Sequence, residues 1–286
     1  MGKIYKTLIL DGQISLTLIE STDIVNQAIE YHNLTGLTAA ALGRTMCATI
    51  FMASNLKNKG DKTSVTIAGD GVGGQIIVSC DSGLNVRGYI DNPTANLPLN
   101  SKGKFDVAGC VGKGKMTVVR STGLKEPYVG QSEIISGEIA EDFAYYYAVS
   151  EQEPTAMALG VRISASTGKC VGAGGIIIKA MPGVSEEAIT KAEEIILKDQ
   201  DISSVIEKVG VKGIIDADFS NCDFTLRDTF YKCICSNDYI DRLIISIGKE
   251  EAFDILKEEG KIEIKCQYCN KVYTYNEEKT KELFNK

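Results

Sequence analysis

A single histidine, His32, stands in 286 residues, and basic side chains are the minority: 31 Lys and Arg against 38 Asp and Glu, for a net charge of −7. One histidine excludes a zinc protease, which needs two on one helix; at the end of a helical stretch, His32 is expected to be partly exposed. The acidic balance argues against a generic nucleic-acid binder, which would need a basic face to displace phosphate counterions. No apolar run approaches the roughly 18 residues that suggest a membrane span. The opening MGKIYKTLILDGQ has only Thr7–Leu10 as an apolar stretch, with no small-residue cleavage site after it, so it does not read as a signal peptide. Lys6 stands where myristoylation requires Ser or Thr. The expectation is a cytoplasmic protein that engages neither membrane nor nucleic acid.

Cysteine is plentiful but odd in number, at nine, which does not suit an evenly paired secreted scaffold. Cys47, Cys80, Cys110, Cys170 and Cys222 lie scattered among apolar or small residues and read as buried thiols acting as small hydrophobes. The other four are clustered near the C-terminus.

Residues 1–180 mix strand and helix signals. Ile14, Leu16 and Leu18 alternate with polar residues as in a half-buried strand. Asp23–Tyr31 and Leu37–Leu56 read as helices, the second with Leu42, Met46, Ile50 and Phe51 on an apolar face. Ser64–Ala68, Gln75–Ser79, Val86–Ile90 and Thr117–Arg120 read as glycine-punctuated strands. Glu138–Val149 reads as helix, and Ala156–Ala165 and Gly175–Ala180 as strands. This mixture predicts an α+β N-terminal domain with a mixed or antiparallel sheet over residues 1–180. Residues 181–229 read as a linker of weak helices: Ala188, Ile189, Ala192, Ile195 and Ile196 form one stripe, a short helix covers Ser204–Val209, and the rest has no clear period. So narrow a stripe should pack on a neighbour. Residues 230–286 form a small C-terminal α/β-hairpin domain: a helix from Asp238 with Tyr239, Ile240, Leu243, Ile244 and Ile247 inward, a second over Glu250–Glu259, and short strands at Ile262–Ile264 and Val272–Tyr275.

Two glycine motifs imitate nucleotide sites. Gly69-Asp70-Gly71-Val72-Gly73-Gly74 fits GxGxxG, but that motif needs a following helix to carry the pyrophosphate. Here Gln75–Ser79 reads as a strand, so a hairpin turn is the better reading. Gly109–Lys115 approaches the P-loop pattern, yet Met116 replaces the hydroxyl residue that would bind magnesium. No nucleotide is expected. Tyr145-Tyr146-Tyr147 reads as core and interface packing.

The chemistry lies in Cys233-Ile234-Cys235 and Cys266-Gln267-Tyr268-Cys269, with 30 residues between the pairs. Four thiolates in a tetrahedron make a closed zinc site. Some 57 residues are few for a purely hydrophobic core, and metal is a usual remedy. Zinc-bound cysteines are deprotonated and so remain potential nucleophiles toward oxidants. Spacing alone leaves open a structural zinc ribbon, a redox switch, a thiol-disulfide oxidoreductase using Cys266 and Cys269, or a zinc-ribbon binder of RNA. The oxidoreductase would want its CxxC at a helix N-terminus, whereas Cys269 leads into a strand. The RNA binder would want a basic face, and residues 230–286 carry ten Lys and Arg against eleven Asp and Glu.

These cysteines, with VRGYIDNP (86–93), KGKFDVAGCVGKG (102–114), GEIAEDFAYYYAVSEQEPTA (137–156) and AGGIIIKAMPG (173–183), resemble the bacterial redox-regulated heat-shock chaperone family of thirty-three kilodaltons over nearly the whole chain. Lys179 departs from the glutamine expected there. The resemblance implies an ATP-independent holdase rather than an enzyme, with no catalytic residue and one Zn2+ per chain in the reduced state. It further implies that oxidative or heat stress forms the disulfides Cys233–Cys235 and Cys266–Cys269, releases zinc and unfolds the C-terminal domain and linker. The active protein would be a homodimer holding unfolded or partly unfolded clients. Ile189, Ile195, Ile196, Val205 and Ile206 are the apolar linker residues that such an opening would offer to clients.

Overall fold

The structure is a computed structural model and describes residues 1–198 and 201–285. Its contacts divide the chain once, into Met1–Lys232 and Cys233–Lys286. The first unit begins with strands β1 (Gly2–Ile9) and β2 (Ile14–Glu20), followed by helices α1 (Thr22–His32) and α2 (Gly36–Ala53). Three strands follow, β3 (Lys62–Gly69), β4 (Ile76–Asp81) and β5 (Asn85–Ile90), then the short helix α3 (Val107–Val111). Strands β6 (Gly114–Ser121) and β7 (Tyr128–Glu133) lead to α4 (Ala140–Tyr146), which runs into a π-helical turn at Tyr147–Glu151. Strands β8 (Thr155–Ile163) and β9 (Cys170–Ala180), helices α5 (Glu186–Lys198) and α6 (Ile202–Asp218), and strand β10 (Thr225–Tyr231) complete it.

Ten strands form one sheet in the order β7-β6-β3-β4-β5-β10-β1-β2-β9-β8. Among the described residues only β5 and β10 pair in parallel, so the sheet is mixed, within the expected mixed or antiparallel class. Alternation along β2 feeds both faces: Ile19 joins the core that includes α1 and α2, while Leu16 and Leu18 join the core under α5 and α6. Helix α2 is apolar all round, from Leu37 to Ala53, and accordingly lies inside the fold. By length and composition it could cross a membrane, but 89% of it is buried within this unit.

Segment 181–229 lies within the first unit rather than apart from it. Ala188 and Ala192 of α5 and Ile202, Ile206, Val211 and Ile214 of α6 are buried in the second core cluster. Helix α6 extends beyond the expected Ser204–Val209, with a break at Gly210 (φ 67°) where the weak-helix reading stopped. The close fit of α6 to the sheet depends on missing side chains. A Cβ on Gly172 would come 2.3 Å from the Ser203 carbonyl oxygen, and one on Gly160 2.8 Å from the Ser203 Cβ. Strand β10, expected as aperiodic linker, sits between β1 and β5.

His32 corrects the expectation of exposure: it is 6% exposed, and its Nε2 lies 3.2 Å from the Tyr231 hydroxyl, which donates to the Gly88 carbonyl. The glycine motifs prove to be partners of each other. Gly71 and Gly73 donate to the carbonyls of Val111 and Cys110, and Asp70 accepts from the Lys113 amide. A Cβ on Gly69 would fall 1.9 Å from the Val111 oxygen, so the glycines serve close backbone packing. Tyr146 and Tyr147 are core; Tyr145 is largely outward. Lys179 pairs with Glu153 at 2.9 Å.

Candidate metal centre

In the second unit, Ser236 caps α7 (Asn237–Ile247) by accepting the Tyr239 amide. Helix α8 (Lys249–Glu259) ends at left-handed Gly260. Strands β11 (Ile262–Lys265) and β12 (Val272–Tyr275) form an antiparallel hairpin, and α9 (Glu277–Phe284) follows under an Asn276 cap. Ile240 and Ile244 are the inward residues of α7; Tyr239, Leu243 and Ile247, expected inward, are 39–46% exposed. A 100° turn per residue cannot bury both stripes against so small a partner. The core holds only eight buried side chains, among them Leu256, Ile262, Tyr273 and Tyr275.

The four cysteines converge beside this core. Cys266 and Cys269 occupy the turn joining β11 to β12. The Asn270 amide donates to the Cys266 carbonyl and the Cys266 amide to the Lys271 carbonyl, and Asn270 takes a left-handed conformation (φ 57°) to close the knuckle. Cys233 and Cys235 approach from the segment before α7. All four sulfurs lie within 4.8 Å of one another. Two of the approaches cross between the pairs, 3.5 Å for Cys233–Cys266 and 3.4 Å for Cys235–Cys269. A tetrahedral ion with metal–sulfur bonds of about 2.3 Å has sulfur–sulfur edges of about 3.8 Å. The spacing and the donor set therefore fit one four-coordinate, thiophilic metal ion. The turn geometry also places the CxxC in a hairpin, with no helix starting at it.

Hydrogen bonds treat the four sulfurs unequally. Burial raises the Cys233 thiol, against the pull of the Cys235 amide, which donates to its sulfur at 3.5 Å. Burial pushes Cys269 up to about 11, while the Lys271 amide pulls it down. For Cys235 burial is outweighed: the Tyr273 hydroxyl and the neighbouring thiols bring it down to about 7. The scattered thiols differ in kind. Burial lifts Cys47 to about 12, and Cys110 and Cys170 to about 11, which keeps them protonated and unreactive.

Two features here escaped the residue pattern. Tyr273 is 3% exposed, and Tyr275 donates to Asp241 Oδ1 at 2.5 Å. The alternation Val272-out, Tyr273-in, Thr274-out, Tyr275-in was the available signal. The apolar linker residues do not gather into one site. Ile206 is buried, Ile195, Ile196 and Val205 pack half-buried on the sheet's second core, and Ile189 is 39% exposed.

Comparison with known proteins covers both units. The sequence profile of the family described as Hsp33 protein matches residues 2–276. The chain is 41% identical over 272 residues to a 33 kDa chaperonin of Acetivibrio thermocellus, covering 94% of this chain and 92% of the relative. It is 38% identical to one from Clostridium botulinum strain 657, covering 96% and 94%. The crystal structure of a 33 kDa chaperonin, a heat shock protein 33 homologue from Thermotoga maritima, superimposes with a TM-score of 0.90 at 33% identity. That match covers 99% of this chain and 97% of the other.

Proposed function

Because this chain belongs to the Hsp33 family, we propose that it is a redox-regulated, ATP-independent chaperone: a holdase that binds unfolding proteins under oxidative or heat stress. The observation that carries the reading is the convergence of Cys233, Cys235, Cys266 and Cys269 within 4.8 Å in a unit with only eight buried core side chains. Zinc held by these four thiolates supplies the cohesion that such a core lacks. No side chain acts as general base or nucleophile toward a substrate, so the protein is not an enzyme, and it works in the cytoplasm without nucleotide, nucleic acid or membrane.

The switch is thiol chemistry. Each disulfide forms when two thiolates give up two electrons to one hydrogen peroxide, which takes two protons and leaves as two waters. Two peroxides thus convert the four ligands into Cys233–Cys235 and Cys266–Cys269 and free the metal. The four sulfurs lie within 4.8 Å of one another, and closing the two local bonds removes all four ligands from the metal, which couples oxidation to loss of the fold. In this reading the weakly apolar helices α5 and α6 open after the second unit unfolds, and Ile189, Ile195, Ile196, Val205 and Ile206 become available to clients of a homodimer.

The deciding experiment is aggregation of a heat-unfolding client without nucleotide. Oxidised, zinc-free protein should suppress light scattering at near-stoichiometric ratio, and reduced, zinc-loaded protein should not. Equal suppression by both forms would defeat the redox reading, and suppression by neither would defeat the holdase.

A further inference from the structure

Strand β8 ends the ten-stranded sheet and pairs on one side only, with β9. The Ala180 amide donates to the Pro154 carbonyl, which fixes the phase of that ladder. Ala156, Ala158 and Gly160 therefore bond to β9, and the amides and carbonyls of Met157, Leu159 and Val161 turn toward the free edge. Among the described residues none of these groups has a hydrogen-bond partner, although the three residues are only 8% exposed. Backbone groups in so apolar a setting are costly to leave unpaired. A cleft of about 320 Å³ opens on this edge, lined by Leu159 and Val161 together with Leu99, Lys104, Phe105 and Asp201. Strand alternation separates two chemistries here. Leu159 and Val161 join the first core cluster, whereas Arg162 turns to α6, where it meets Glu207 at 2.6 Å and the Ser204 hydroxyl at 3.1 Å. Lys104 lies 3.9 Å from Asp201, just before α6. The docked α6 segment thus supplies a carboxylate to both cations, and its departure leaves them without one.

We infer that the free edge of β8 receives an extended stretch of polypeptide, apolar and acidic at alternate positions, which adds to the sheet as a further strand once α6 lifts away. The inference rests on the holdase reading proposed above and names a client surface for it. Three observations carry it. The spare amides and carbonyls of Met157, Leu159 and Val161 repeat at strand spacing, which an extended backbone matches and a folded surface does not. The apolar wall formed by Leu99, Phe105, Leu159 and Val161 takes one set of side chains. The cations Lys104 and Arg162, released from Asp201 and Glu207, take the other set as carboxylates. The site also explains why an edge so apolar does not recruit strands in the reduced protein. Natural sheets protect such edges by covering them, and here the residues beginning α6 are the cover. Opening of α6 therefore frees the cleft and strips its two cations of their partners in one movement.

The test uses the full chain and a fluorescent peptide of alternating valine and glutamate, with binding read by anisotropy. Two further peptides carry N-methyl groups, one on its valines and the other on its glutamates. An added strand bonds to its neighbour through alternate residues only. Oxidised protein should therefore bind one methylated peptide as it binds the parent and the other at least about fivefold more weakly, the worth of one hydrogen bond. Lys104→Glu, at an exposed side chain, should weaken the parent peptide about threefold, and a valine–lysine peptide should bind poorly. Reduced, zinc-loaded protein should bind none of them. Equal binding of both methylated peptides, or no binding of the parent, overturns the inference. Equal affinity in the reduced chain overturns the covering role of α6. Sedimentation showing dimers that exclude the peptide would assign the edge to a second copy and overturn the inference as well. The client-aggregation assay, run beside it, keeps the two readings apart. Suppression without the methylation pattern leaves the holdase standing and removes this site, and the pattern without suppression does the reverse.

Discussion

The two units solve the same stability problem by different means. In Met1–Lys232, a ten-stranded sheet carries helices on both faces, and two core clusters bury scores of apolar side chains. Each fully buried Ile, Leu or Val there contributes roughly 1.5–3 kcal/mol against exposure. Among its described residues, the second unit has two short strands, three helices and eight buried core side chains. Burial of that size leaves little after chain entropy is counted. The difference assigns the cysteines their roles. Cys47, Cys80, Cys110 and Cys170 are buried filling in the large unit, whereas the four half-buried cysteines of the small unit converge where a metal could reinforce a small core.

The strongest way to break this comparison is to remove the metal. Structural zinc contributes apparent energies of about 10–16 kcal/mol at neutral pH, against a total stability of about 5–15 kcal/mol for a domain. Chelation under reducing conditions, or Cys235→Ser, should abolish hydrogen-exchange protection throughout residues 233–285. The strands of the first unit should stay protected. X-ray absorption on the zinc-loaded chain should show four sulfurs and no light-atom ligand. Uniform loss of protection in both units would mean that they do not fold independently.

Limited trypsin digestion sharpens the comparison within the first unit. Helices α5 and α6 belong to it by contact but present many cleavable residues. After oxidation, Lys191, Lys198, Lys208 and Lys212 should be cut quickly, leaving a resistant fragment that ends at or before Lys191. Arg227 read as another linker site from sequence, but it lies in β10 and donates to the Ser82 carbonyl. Its cleavage should lag behind the helix sites for as long as the sheet holds. Equal protection of α5 and α6 in reduced and oxidised protein would end the unfolding-switch proposal.

How much of this was legible beforehand follows the range of the interactions. The cysteine constellation was readable because spacing and ligand chemistry are local, and β2, α1, α2, β3, β4 and β5 because their apolar periods are strong. Strand β10 was not: in Thr-Leu-Arg-Asp-Thr-Phe-Tyr only Thr229 is buried, and its place is set by pairing with β1, more than 200 residues away in sequence. Strand β1 has only a weak alternation of buried and half-buried residues, and β7 is mostly exposed. Helix α9 could have been found, since Asn276 followed by Glu277 and Glu278 is a capped, dipole-matched start. His32 was misjudged because its partner Tyr231 arrives from the far end of the first unit. The outward stripe of α7 shows the reverse error, apolar residues taken as inward where too little core exists to receive them.

A smaller effect tests whether α6 is held by shape. Gly172→Ala adds one methyl group that would sit 2.3 Å from the Ser203 carbonyl oxygen and 2.9 Å from the Glu207 nitrogen, both backbone atoms. Either the strand or the helix must move, and such overpacking costs about 1–3 kcal/mol. Cutting at Lys208 and Lys212 should accelerate in reduced, zinc-loaded protein, with the metal content unchanged. That result would separate linker docking from metal binding. Unaltered digestion would show that α6 is retained by something other than its fit to the glycines of β8 and β9.

The smallest expected effect concerns Lys179, where the family resemblance led to an expectation of glutamine. Lys179 and Glu153 pair at 2.9 Å with side chains 24% and 43% exposed, and a pair so open to water contributes below about 1 kcal/mol. Lys179 also acts on Lys6, whose pKa is brought down to about 8, first by burial and then by repulsion from Lys179 and Arg227. Below about pH 8 Lys6 is protonated in folded and unfolded chains alike, and the penalty for holding that charge is constant. Between about pH 8 and the ordinary lysine value of 10.5, the unfolded chain binds the extra proton, so stability rises with pH across this window. Lys179→Gln removes one positive neighbour and leaves the burial, so Lys6 should titrate higher, though still below an ordinary lysine. The stability of the first unit should change by less than about 1 kcal/mol, and its rise with pH should become shallower. Lysine-selective NMR titration of Lys6 reads the shift directly. If Lys6 titrates identically in both chains, burial and Arg227 set its proton affinity, and Lys179 does no more than pair with Glu153.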